Sequence, residues 1–136
     1  WMWGDRLIDG ETTGIGHWEA STDFTHQAIR QIPRDIVISD WHYEKPHPTA
    51  AWFAIEGFPV VSCPWRKPEV ALGQLELMRA VRAGASKQVA ARMLGMMQTT
   101  WGSFGNFLKA YNGEPDAPAN MLEVVTCLRK LFPVTP

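Results

Sequence analysis

Trp3, Trp41, Trp65 and Trp101 each stand at or just past the end of a short apolar run and are followed within a few residues by polar ones. An indole face stacks on the C–H face of a pyranose and excludes water, while neighbouring carboxylates and amides read the hydroxyls. Indoles recurring at strand ends therefore predict one aromatic-walled sugar pocket, since parallel folds place their sites at the carboxyl ends of the strands. A single tryptophan is more often a packing residue. Four in equivalent places of successive units argue instead for a shared wall. Asp5, two residues past Trp3, fits hydroxyl recognition beside it, and Asp40, His42 and Tyr43 are placed to line the same pocket.

Other groupings carry less chemistry. Asp40, His42 and Glu44 alternate along an extended segment, which puts three donors on one side with His47 close by. Pro46 and Pro48 interrupt that segment and no fourth donor is placed, so a polar loop is expected there, with no metal and no other cofactor. Met96 and Met97 read as core. Ser62 and Cys63 lack the glycines of a nucleophile elbow. Arg66 and Lys67 could grip an acidic group but read as a solvated pair, and Glu11, Glu56 and Glu69 as surface or helix-start charges.

The elements that must position these residues alternate strand and helix. Residues 35–39 are apolar and β-branched on consecutive positions, as in a parallel strand covered on both faces. Residues 58–63 give a second strand, with Pro59 at its start, and 93–100 a third, with Gly95 where a strand bends. Trp1, Met2 and Trp3 read as the end of a fourth. Helices are expected from Phe24 to just before Pro33 after the Ser21–Asp23 cap region, from Pro68 to Gly84 burying Val70, Leu72, Leu75, Met78 and Val81, and from Ser103 to Tyr111. A last helix from Asn120, with Glu123 in a capping-box arrangement, should bury Met121, Leu122, Val125, Leu128 and Phe132.

This is the α/β pattern, in about four βα units with no internal domain boundary across residues 1–136. An eight-stranded (β/α)8 TIM-type barrel typically needs about 250 residues, so 136 residues predict half of one. Open edges would then be completed by sequence beyond the chain or by a second copy, making a homodimer the expectation if the isolated chain folds. The start at Trp1, already strand-like, reads as a trimmed beginning. A 46% hydrophobic and 20% charged composition supports one ordinary core. A net charge of −1 with interspersed signs offers no footprint for nucleic acid or an anionic membrane, and no apolar run reaches the ~18 residues of a span. Two distant cysteines, Cys63 and Cys127, make neither a disulfide framework nor a zinc pattern and leave the redox compartment open.

Four segments, Met2–Asp5, Val37–Trp41, Val60–Trp65 and Gly95–Gly102, taken in order and spacing, resemble the second half of the catalytic barrel of the family 20 glycoside hydrolases, the β-N-acetylhexosaminidases. The resemblance covers most of the chain. It implies that Trp3, Trp41, Trp65 and Trp101 wall a pocket for a terminal N-acetylhexosamine, and it favours a secreted or periplasmic setting. It further implies substrate-assisted hydrolysis, in which the sugar's acetamide attacks the anomeric carbon, one carboxylate steadies it and a neighbouring Glu protonates the leaving group. No Asp-Glu dipeptide occurs in this chain, so no catalytic residue is expected within it and the isolated chain should not hydrolyse a glycoside. Arg66-Lys67-Pro68 stands where the family has a Tyr and an Asp, and Gly102-Ser103 where it has an acidic residue. A non-catalytic carbohydrate-binding relative and a self-assembling half barrel are the alternatives.

Overall fold

Four strands form one parallel sheet in the order of the chain: β1 (Met2–Trp3), β2 (Ile38–Asp40), β3 (Val60–Ser62) and β4 (Met93–Met96). The structure, a computed structural model, describes residues 1–133. Parallel neighbours need crossover connections. These are α1 (Gly10–Thr13) and a 3-10 helix (Thr25–Arg30) after β1, α2 (Thr49–Ile55) after β2, and α3 (Pro68–Gly84) with α4 (Lys87–Arg92) after β3. Two further helices, α5 (Phe104–Asn112) and α6 (Ala119–Leu131), follow β4. The mixed α/β class expected from the sequence is observed.

Strand periodicity divides the sheet into two faces. Met2, Ile38, Val60 and Met93 stand side by side in register and face the helices, where Ile38 and Val60 are fully buried with Phe53, Ala54 and Phe58. Removing each of those phenylalanines from water contributes roughly 1.5–3 kcal/mol. The alternate row of Trp3, Ser39, Val61 and Gly95 turns to the opposite face. Two glycines are dictated by the packing. A Cβ at Gly4 would lie 2.6 Å from Ile38 Cγ2 and 2.8 Å from Phe53 Cζ, so only glycine lets the chain leave β1 beneath α2. Gly95 has φ +139° at the register shift between β3 and β4, a bend that its position in the strand predicts.

Several expectations need correction. The strands are shorter than the apolar runs that contain them, because pairing stops where the chain begins to turn across the strand ends. The segment after Asp23 is a 3-10 turn rather than an α-helix, entered through Phe24 at φ +64°. α2 was hidden in the run Ala50–Ile55, whose nearly unbroken apolarity shows no helical period. α6 starts at Ala119 without a side-chain cap, and Glu123 pairs with Arg66 instead at 3.4 Å. It buries Val124 and Cys127, whereas Leu122 and Phe132 stay 44% exposed. On α3 the buried face is Val70, Ala71, Gln74 and Met78, rotated from the expected one so that a glutamine faces inward and Leu72 outward.

Candidate functional site

The ends of the strands build two adjoining regions. Trp3 ends β1, Trp41 follows β2, Trp65 follows β3 by three residues and Trp101 lies beyond β4. Three of their rings meet around Tyr43, and the fourth joins through Trp101. Trp41 and Trp65 pack on it at centroid distances of 4.9 and 5.4 Å, and Trp101 Nε1 donates to its hydroxyl at 2.5 Å. Trp3 then packs on Trp101 at 5.9 Å. Thr99 Oγ1 donates to the Pro64 carbonyl at 2.8 Å and lies 3.3 Å from Tyr43 Oη, tying the loop after β4 to the loop after β3. Gln98 strengthens that tie through its amide on the Trp65 carbonyl. Burial holds the Tyr43 phenol above its ordinary pKa, so it stays a neutral hydrogen-bonding group.

The four tryptophans are not equivalent. Trp3 and Trp101 are 42% and 50% exposed and border an open groove of about 240 Å³ with Met97, Gln98, Thr99 and Thr100. A second groove of about 260 Å³ continues past Trp3 and Met97 to Trp1, Met2 and Ser39. Trp65 is covered: the Arg66 guanidinium lies 4.4 Å over its ring and Tyr43 packs on it as well, while its buried indole N–H has no partner among the described residues. Asp5 accepts from Trp41 Nε1 at 3.1 Å and from Arg6 Nε at 2.8 Å, so it first orients an indole. Arg6 reaches on to the carbonyls of His17, Trp18 and Ala20 and pins the loop that carries Glu19.

Asp40 and His42 are absent from this aromatic surface. Side chains alternate along the extended segment, so Trp41 and Tyr43 face the indoles while Asp40 and His42 point into the helix side, 2% and 0% exposed. There His42 Nδ1 meets Glu19 Oε2 at 2.7 Å, and Nε2 lies 3.3 Å from Asp40 Oδ1, close but off the line of a well-formed hydrogen bond. Thr49 donates to the other Asp40 oxygen at 2.8 Å, and Gln74 donates to the His42 carbonyl at 2.8 Å. Burial alone would lower the His42 pKa, but the two carboxylates outweigh it and push it up to about 9. Burial would raise Glu19, yet His42 and the Tyr43 N–H hold it below the usual carboxylate range. His47 packs edge-on against His42 at 4.9 Å, and burial together with the His42 charge lowers its pKa.

Glu44, expected beside Asp40 and His42, turns outward to Lys67 instead. Its place is taken by Glu19, 23 residues before His42, which no local spacing could have revealed. Tyr43, weighed in the sequence only as a lining residue, proves to be the hub of the aromatic surface. A cavity of about 420 Å³ lies elsewhere, between Ile8, Asp9, Thr12, Thr13 and Ile15 on one side and His47, Thr49 and Trp52 on the other. Both cysteines are buried free thiols, and burial beside the Asp40 charge pushes Cys63 up to about 12, which leaves it unreactive. No helix among the described residues is long and apolar enough to cross a membrane. Comparison with models of known protein families gives no match, and neither does comparison with curated proteins.

Proposed function

We propose that this chain forms the aromatic wall of a sugar site in a glycoside hydrolase acting on terminal N-acetylhexosamine residues, its four βα units being the carboxyl-terminal half of a (β/α)8 barrel similar to that of family 20. The observation that carries this reading is one aromatic cluster built from the ends of four consecutive parallel strands, in which Trp41, Trp65 and Trp101 meet on Tyr43 and Trp3 joins through Trp101. The strand order supports it too, because strands that pair strictly in sequence are what a barrel needs. Trp3 and Trp101 are the stacking platforms, Trp41 is held edge-on by Asp5, and Trp65 with Tyr43 forms the floor. The two grooves share Trp3 and Met97, and at about 240 and 260 Å³ each falls below the roughly 300 Å³ at which ligand pockets begin, as one wall of a larger pocket would.

Hydrolysis needs a general acid and an orienting carboxylate near the sugar. Asp5 is committed to Trp41 and Arg6, and Asp40 and Glu19 are committed to His42, so the acid pair would come from outside these residues. The expected behaviour of the isolated chain is binding without turnover. Titration of N-acetylglucosamine, followed by tryptophan fluorescence and by NMR, tests this: saturable binding lost in Trp101→Ala supports the reading, and no binding to any N-acetylhexosamine or its glycosides overturns it.

A second reading is favoured by one feature. Trp1 and Leu94, at the two edges of the sheet, are 72% and 47% exposed, and β1 and β4 each pair on one side only among the described residues. Two copies closing one sheet would cover both edges. Light scattering that returns twice the chain mass, with a sharp melt, supports this self-assembled form, and a cooperative monomer excludes it.

A further inference from the structure

We propose that Glu19, His42 and His47 form a binding site for a divalent transition-metal ion, with zinc the best fit, and that Asp40 is its positioning residue. The site is separate from the aromatic surface and stands whether or not a sugar binds there.

One carboxylate oxygen of Glu19 and one ring nitrogen from each histidine lie within 4.8 Å of one another. A tetrahedral ion bound at about 2.0–2.2 Å holds such donors slightly over 3 Å apart. Small side-chain adjustments therefore suffice, and His47 and Glu19, both only half-buried, have room for them. Two imidazoles and one carboxylate are the donor set of open zinc sites, which keep a fourth position free. Two nitrogen donors select zinc, copper, nickel or iron over magnesium or calcium.

The surroundings of His42 are what distinguish this cluster from a chance meeting of polar groups. Metal-binding imidazoles hold their second nitrogen against a carboxylate, which fixes the tautomer and orients the ring. Asp40 Oδ1 stands 3.3 Å from His42 Nε2, both atoms are buried, and neither has another partner among the described residues. Thr49 fixes the Asp40 carboxylate from the far side, and Gln74 fixes the His42 backbone. With Nε2 carrying its hydrogen toward Asp40, the Nδ1 lone pair is left for the metal. The proton now shared between Nδ1 and Glu19 Oε2 leaves to solvent as the ion enters. His47 also lines the cavity of about 420 Å³, where Asp9, Thr12, Thr13 and Thr49 add polar groups around space for an exogenous ligand.

The test is calorimetric titration of Zn(II) into the EDTA-treated full chain, with Co(II) absorption as a report on the ligand set. One Zn(II) per chain is expected, weakened at least tenfold in His47→Ala and in Glu19→Gln and unchanged in Glu44→Gln. Asp40→Asn should keep the stoichiometry of one while losing about 10–100-fold in affinity. Glu19→Gln can still accept from the Tyr43 N–H, and His47 is not part of the core, so circular dichroism should confirm that both variants fold. No stoichiometric binding overturns the proposal and leaves the cluster a buried ion-pair network. Binding unaffected by His47→Ala and Glu19→Gln overturns it as well, and places the ion elsewhere on the chain.

Discussion

The aromatic surface and the Glu19–His42–Asp40 network share the segment Asp40–Tyr43, yet opposite means hold them together. On one face, neutral rings pack with a few hydrogen bonds and remain open, Trp101 being half exposed. On the other, Asp40 and His42 are sealed from water beside the half-buried Glu19, and the three ionisable groups depend on one another, because a buried charge without its partner is expensive. Glu19 joins the two regions: one oxygen holds His42 and the other accepts the Tyr43 N–H at 3.2 Å. The difference teaches that the open aromatic surface carries little of the stability, and that the network behind it fixes the backbone from which the aromatic hub projects.

The sharpest way to break that division is His42→Ala, which leaves Glu19 and Asp40 as unpaired carboxylates. We expect a loss of about 3–5 kcal/mol in urea denaturation, typical of breaking a buried charged pair from one side. A loss below about 1 kcal/mol would mean that the network is not a stabilising element.

A pH series on metal-free protein separates the regions without mutation. His42 is raised from 6.5 to about 9 on folding, so its contribution is fully present below pH 6.5 and is lost as pH rises through 9. The loss is on the order of 3 kcal/mol if the whole shift is expressed. Glu19 is lowered on folding, so its contribution disappears on the acid side, as pH falls through its folded value. Sugar affinity should stay flat from pH 6 to 8, since the phenol of the aromatic surface does not ionise there. Affinity that follows stability across this range would show the two regions to be one unit.

Gly4→Ala should cost about 2 kcal/mol, because its Cβ meets a core methyl group and a fully buried ring. It strikes the shared scaffold, so calorimetry should show a lower Tm with sugar affinity nearly retained in the folded fraction. The smallest stability effect belongs to Trp101→Ala, within about 1 kcal/mol because half of the ring is already in water. It should nonetheless weaken sugar binding at least tenfold. A stability loss above about 3 kcal/mol would recast Trp101 as a core residue.

What the sequence disclosed follows from how local each signal is. β2 and β3 announce themselves as β-branched runs, and the Pro68 start of α3 and the Ser103 cap of α5 lie next to what they control. The indoles were legible because each stands at or within a few residues past the carboxyl end of its own strand. Glu19 was not, since it comes from a loop pinned by Arg6 and reaches His42 only through the tertiary fold. Gln74 was masked by the apolar period of α3, which hides a single inward polar residue. Asp40 and His42 were misplaced for a different reason: types that suit a sugar pocket were read without asking which side of an alternating chain they take.

That alternation makes the residues from Asp40 to Tyr43 behave as a reading frame. One residue inserted or deleted between Ser39 and Tyr43 would swap the environments, driving carboxylate and imidazole onto the indoles and burying an indole and a phenol among acids. Loops ordinarily drift in length during evolution. Here a change of length by one residue exchanges the two environments, so both regions survive only substitution or changes by pairs of residues.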